Sequence, residues 1–222
     1  MSGAALLWAL LGVQGPLDEG ALVVREDTAE IARETFRLTA VRVGVGAGWK
    51  LAATIRYDRT RPVLVLDPIV EIGPDSAPAS LEYTVADPRE PVRILGQLSR
   101  GRFGVRLLGR RTERAREFPA PPPAAILDDS VFALYLPVAW RARSQPVAVT
   151  GIFPRAGRRE VLAVQDLGTG ATTLNRDAVA LRHITVTGGA NQLVHLWLGA
   201  DGRLLKVQVP SRHLTAERAR AP

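Results

Sequence analysis

The sequence predicts a mainly β protein, folded as a curved antiparallel sheet or as an open barrel or sandwich, with one principal short helix. Three observations support this fold class. Apolar and polar residues alternate along most of the chain, which is typical of strands with one buried face. Turn-forming residues interrupt these runs about every ten residues, as in β-meanders. One segment, about residues 128–140, instead repeats apolar residues at helical spacing.

The first strands lie on both sides of a glycine-rich turn. In residues 49–57 large apolar residues occupy the odd positions, whereas Lys50 and Arg56 face the other way. The preceding segment, residues 31–38, alternates in the same manner, and Gly44–Gly48 supplies the turn between them. The same pattern predicts four further strands, at residues 62–72, 79–86, 91–98 and 102–108.

The helical segment follows a proline-rich link at residues 117–123. We expect Asp128 to cap its first turn, because an aspartate oxygen can accept a backbone N–H there. Leu134 and Val138 belong to its apolar stripe, which indicates a buried helix lying across the sheet. After it the alternation predicts five more strands, at residues 146–153, 160–165, 178–187, 192–198 and 203–209.

The chain divides into an apolar leader (residues 1–15), a single all-β domain (16–210) and a basic tail (211–222) that we expect to be loose. The leader has the length of a secretion-signal core, but no basic residue precedes it and Pro16 follows the best cleavage position. It is too short to span a bilayer as a helix, which takes roughly 20 residues. A cleaved signal and a retained anchor both remain open. A retained leader would dock on a membrane or partner through Leu6, Leu7, Trp8, Leu10 and Leu11.

The 222 residues include 29 basic and 22 acidic side chains, for a net charge of +7. Only Lys50 and Lys206 are lysines, so 27 of the 29 basic residues are arginines. Arginine binds carboxylate and phosphate groups in a bidentate manner, and this surplus therefore favours anionic partners. A GC-rich genome would produce the same bias without a function. The absence of cysteine excludes disulfides, thiolate nucleophiles and cysteine-ligated metals.

No recognisable catalytic motif is present. His183, His195 and His213 are the three histidines, and they lack the spacing of a zinc site. Serine-hydrolase motifs are missing, and the glycine-rich stretches lack the lysine of a phosphate-binding loop. The adjacent acids Asp128 and Asp129 are explained by a helix start. We therefore expect a protein that is not an enzyme and has no cofactor or metal. A hydrolase whose site is assembled from residues distant in the sequence remains an alternative.

The strongest local feature is a cluster of arginines opposed only by Glu113 and Glu117. With a period of two throughout, three of them, Arg102, Arg106 and Arg110, share one strand face. Aromatic residues are nearly absent between them and no binding motif appears, so nucleic acid is not the expected partner. A membrane or protein surface fits better, and a solvated strand face is the alternative without function. The cluster comprises Arg100, Arg102, Arg106, Arg110, Arg111, Arg114 and Arg116.

The terminal hairpin carries a resemblance. Trp197, the Ala200-Asp201-Gly202-Arg203 turn and residues 204–210 resemble the ending of uncharacterised bacterial envelope proteins. These are similar to the lipoprotein-carrier type of fold, in which a strongly curved antiparallel sheet wraps a helix. The resemblance covers about the last thirty residues and implies an envelope location and an apolar groove. The arginine-rich style and apolar N-terminus are also similar to membrane-extrinsic subunits of bacterial photosynthetic reaction-centre and antenna complexes.

These observations lead to two hypotheses of different classes. The first is a non-enzymatic, extrinsic stabilising subunit that docks on a membrane or membrane-protein complex, for example a photosynthetic or respiratory one. We expect it at the periplasmic side of the inner membrane, with the leader and the arginine cluster as docking residues. The second is a periplasmic carrier of a lipid or other apolar ligand, which needs an apolar cavity of roughly 300 Å³ or more.

Overall fold

A computed structural model describes residues 17–188 and 192–220, and in this part of the chain fifteen strands form one sheet. The first eight strands are β1 (Asp18–Glu26), β2 (Ala29–Val43), β3 (Gly46–Tyr57), β4 (Leu64–Ile72), β5 (Pro78–Ala86), β6 (Val92–Ser99), β7 (Arg102–Leu108) and β8 (Glu113–Pro119). The others are β9 (Ala124–Ile126), β10 (Val147–Phe153), β11 (Arg158–Leu174), β12 (Asp177–Gly188), β13 (Gln192–Leu198), β14 (Leu204–Val209) and β15 (Leu214–Arg218).

The sheet consists of two meanders joined near the chain ends. Its strand order is β8-β7-β6-β5-β4-β3-β2-β1-β15-β14-β13-β12-β11-β10-β9. The joint is the antiparallel pair of β1 and β15, in which Leu22 lies opposite Arg218. All neighbours are antiparallel except β9 and β10. Because β8 and β9 each pair with one strand, the curved sheet does not close, and the predicted mainly β fold class is confirmed.

The alternation of side chains decides which face of the sheet is buried. Along β2 the residues Phe36 and Leu38 are buried, whereas Arg33, Thr35 and Arg37 are exposed. Successive side chains of a strand point to opposite faces, so β2 has one core face and one solvent face. The core faces of both meanders surround a single apolar interior.

A short helical insert (residues 131–139) fills this interior. It contains a 3₁₀ turn, Ala133–Tyr135, and an α-helix of one turn, α1, Leu136–Ala139. Every residue of the insert is buried. The predicted helix of about residues 128–140 is therefore present but begins later. Asp128 does not cap it, because the N–H groups of Phe132 and Ala133 donate to the carboxylate of Glu34 on β2.

Five strands differ most from the prediction: β1, β8, β9 and β15 lie where no strand was expected, and β11 is much longer than expected. Strand β8 includes the first residues of the predicted proline-rich link, and β11 continues well beyond the predicted 160–165. The expected loose tail is also wrong, because Leu214–Arg218 forms β15 between β1 and β14. Leu214 and Ala216 face the core and are buried, so pairing on both sides fixes a segment of polar composition. Within the described ranges, no helix is both long and apolar enough to cross a bilayer.

Candidate functional site

The interior of the sheet is occupied by the chain itself. One cavity, between Leu51 and Leu134, has a volume of about 10 Å³, and a second, beside Tyr135 and Phe153, is of the same size. A carrier of a lipid-sized ligand needs roughly 300 Å³ or more of apolar space. The helical insert takes up the place that such a ligand would need.

Glu34 is a fully buried acidic group with a strongly raised pKa. It lies on the core face of β2 and its side chain is fully buried. Its two carboxylate oxygens accept the N–H groups of Phe132 and Ala133, each at 2.9 Å. Burial raises the pKa of Glu34 to about 7; these two hydrogen bonds lower it and the charge of Asp128 adds to the rise. Glu34 thus fixes the start of the helical insert to the sheet.

Asp128 is the centre of a second buried contact. Arg155 Nε and Nη2 each donate to it at 2.7 Å, in the bidentate geometry that arginine and carboxylate prefer. The hydroxyl of Tyr83 donates to Asp128 Oδ2 at 3.0 Å, and the N–H of Ser130 donates to Oδ1 at 2.8 Å. Burial is the largest cause of a raised pKa at Tyr83, followed by the charge of Asp128.

These contacts account for two of the buried acidic groups, Glu34 and Asp128, as anchors of the helical insert. A carboxyl group with a pKa near 7 is suited to general acid–base work only where a substrate can reach it. Glu34 has no exposed surface, and Asp128 has 3%. Their hydrogen-bonding oxygens are directed at the chain itself. In this arrangement Glu34 and Asp128 hold the helical insert in place.

All of the arginine cluster except Arg100 lies on the edge hairpin of β7 and β8. Arg102 and Arg106 point away from the core, on the convex, solvent-facing side of the sheet, where each has an acidic partner on β8. Arg102 Nε donates to Glu117 at 2.7 Å, and Arg106 Nε donates to Glu113 at 2.9 Å. These ion pairs neutralise the convex face of the hairpin.

The other arginines do not lie on that face, so the predicted shared face is wrong for Arg110. The strand alternation ends with β7 at Leu108, and Arg110 lies in the β7–β8 turn. Arg114 and Arg116 pair opposite the core-facing residues Leu107 and Val105 and therefore lie on the concave side. Arg116 Nη1 donates to the carbonyl of Gly157 at 2.9 Å. Arg100 is in the β6–β7 turn, at the other end of β7.

Three exposed arginines without an ion pair lie at the end of this hairpin where β7 turns into β8. No described side chain or carbonyl bonds to any of them. We call this group the arginine tip: Arg110, Arg111 and Arg114. Three of the predicted docking residues, those of the arginine tip, thus lie together without an ion pair. Leu6, Leu7, Trp8, Leu10 and Leu11 lie outside the described residues.

An arm formed by the end of β11 and the start of β12 (residues 169–182) covers part of the convex face. No pattern in the sequence indicated this arm. Lys206 Nζ donates to the carbonyl of Thr173 at 2.6 Å.

Beside the arm, His183 stacks on Trp197 with 3.9 Å between ring centroids, and its Nε2 lies 2.8 Å from His195 Nδ1. Burial, and then the charge of His195, lowers the pKa of His183. Strand pairing brings these histidines together, and the described residues contain no cluster of three possible metal ligands.

An open cleft of about 1010 Å³ lies between the tip of the arm and strands β1, β2 and β15. Arginines and carboxylates line it in nearly equal number, four against three, so its charge selects no particular ligand. The charged lining residues are Arg25, Arg33, Arg176, Arg220, Asp27, Asp177 and Glu217.

Comparison with known proteins identifies a fold and not a family. No family model matches the chain. No curated protein matches it either. The chain is similar to the crystal structure of a β-barrel-like protein of domain of unknown function DUF1849 from Brucella abortus. The TM-score is 0.53 at 12% identity, over 91% of this chain and 94% of that chain. The likeness shows a curved, barrel-like β fold.

Proposed function

We propose that the protein is a non-enzymatic, extrinsic stabilising subunit that docks on an acidic surface of a membrane or membrane-protein complex. The observation that carries this proposal is the arginine tip, which presents three unpaired guanidinium groups within five residues of an exposed edge hairpin. The neighbouring arginines Arg102 and Arg106 are neutralised by ion pairs, so the tip is where the hairpin's free charge is concentrated.

The size of the expected interaction follows from the number of free charges. Near an anionic membrane a basic side chain contributes about 1 kcal/mol, so the arginine tip supplies roughly 3 kcal/mol. This attraction fades within a Debye length of about 8 Å at physiological salt. Stable attachment of a peripheral protein takes a second contribution. The apolar leader, if retained, would provide it, at the periplasmic side of the inner membrane.

The filled interior favours docking over transport of a ligand. Opening a cavity would require displacement of the helical insert, whose nine residues are all buried. Full exposure of one large apolar side chain costs about 1.5–3 kcal/mol, and the insert contains several. A surface contact makes no such demand on the fold.

A charge-matched pair of variants tests the proposal. The triple variant R110Q/R111Q/R114Q removes the arginine tip, and R42Q/R59Q/R176Q removes three exposed arginines that also lack ion pairs elsewhere. Sedimentation with native membranes across a salt series should show about a tenfold or greater loss of association for the first variant alone at low salt. Equal binding by wild type and both variants would refute the proposal. Protease-stripped membranes and anionic vesicles then separate a protein surface from a lipid surface.

A further inference from the structure

Strand β8 ends the sheet, and its backbone has a free side. The N–H of Gly109 donates to the carbonyl of Thr112, so these residues form the hydrogen-bonded pair that closes the β7–β8 hairpin. Along an antiparallel pair, hydrogen-bonded and non-bonded positions alternate. The N–H and C=O groups of Glu113, Ala115 and Glu117 therefore point away from β7.

This free side is unpaired in the described chain. Outside the β7–β8 ladder, no described backbone group bonds to residues 113–119, and the next such bond runs from Ala120 N–H to the carbonyl of Gly101. Pro119 falls in the same alternating set as Ala115, and proline is tolerated in a strand where its missing N–H would face solvent. The side chain of Ala115 is exposed. An extended segment could thus add to β8 as a further strand.

A second copy of the same strand is a poor occupant because of its charges. In a twofold-symmetric antiparallel pair, the register centred on Ala115 sets Arg114 opposite Arg116 and Glu113 opposite Glu117. The registers centred on Arg116 and on Glu117 set each of these residues opposite its own copy. These three registers are the ones that pair five or more residues of β8. Like charges directly opposite each other destabilise a pair, so the edge disfavours self-association.

The geometry points to an extended acidic segment of a partner protein as the occupant of this edge. On the concave side Arg114 has no partner and Arg116 bonds only a neutral carbonyl, so acidic side chains opposite them would gain ion pairs. On the convex side Glu113 and Glu117 are neutralised by β7. The segment would alternate acidic with neutral residues. This inference rests on the proposed docking function and identifies its partner as a protein strand.

Two substitutions at one position test the backbone contact. Ala115→Pro removes a free N–H and leaves the β7 ladder intact, whereas Ala115→Val keeps the N–H. The probe is a fluorescein-labelled heptapeptide that alternates threonine and glutamate, measured by fluorescence anisotropy at low salt. We expect wild type and Ala115→Val to bind it alike and Ala115→Pro to bind at least tenfold more weakly. Circular dichroism and thermal unfolding of both variants establish that each is folded.

The results separate this inference from the proposed function. Equal binding by folded Ala115→Pro and Ala115→Val would overturn strand addition. Absence of peptide binding by wild type, with membrane association still dependent on the arginine tip, would also overturn it and leave the docking function standing. A dimer in sedimentation velocity that Ala115→Pro abolishes would show that a second copy occupies the edge, and it would refute the assignment to an acidic partner.

Discussion

Replacement of Glu34 by glutamine tests how the helical insert is held inside the sheet. Glu34 is fully buried, and its pKa is raised from the ordinary 4.5 to about 7. Between these two pH values the folded protein keeps a proton that the unfolded chain has released. Stability must therefore fall as the pH rises through this window and level off above it.

The magnitude follows from the same two values. At about 1.4 kcal/mol per pKa unit, the full difference between 4.5 and about 7 amounts to roughly 3–4 kcal/mol. Glutamine has the shape of the protonated acid and does not titrate. The free energy of unfolding of Glu34→Gln, relative to wild type, should therefore rise by roughly 3 kcal/mol between pH 4.5 and pH 8.

Urea unfolding at several pH values measures this difference. Glu30→Gln is the matched control, because Glu30 lies on the same strand but is exposed, and its surface ion pair with Arg33 contributes less than about 1 kcal/mol. If the stabilities of wild type and Glu34→Gln change in parallel from pH 4.5 to pH 8, Glu34 does not carry the proton in the folded protein.

Two further predictions concern other core contacts. Arg155→Met should lower the free energy of unfolding by about 3 kcal/mol at pH 7, because it leaves buried Asp128 without its cation. Arg93→Met breaks an exposed pair and should cost less than about 1 kcal/mol; equal losses would contradict this. Gly96→Ala places a Cβ 2.4 Å from a buried phenylalanine ring and should cost about 1–3 kcal/mol in thermal unfolding. At Gly104 the nearest atom is 3.9 Å away, so alanine there should be tolerated; the reverse order would refute the packing assignment.

The sequence determined the strands through their local alternation. In β2 the pattern placed Glu34 on the same face as Phe36 and Leu38, and the structure confirms that face as the core. It could not show why a carboxylate belongs there. The N–H groups that Glu34 accepts lie 98 and 99 residues further along the chain. Only packing of the insert against β2 brings these groups together.

The arginine cluster shows the same division. Composition revealed the excess of positive charge, but register decides which charges are free. Because β7 and β8 pair as they do, Glu117 and Glu113 neutralise Arg102 and Arg106 and leave the arginine tip unpaired. Likewise, the polar segment after Pro210 has little apolar patterning of its own, and it becomes a strand because β1 and β14 supply hydrogen-bonding partners on both sides. Local pattern therefore determined the elements, whereas contacts between distant residues decided the buried anchors, the exposed charge and the last strand of the sheet.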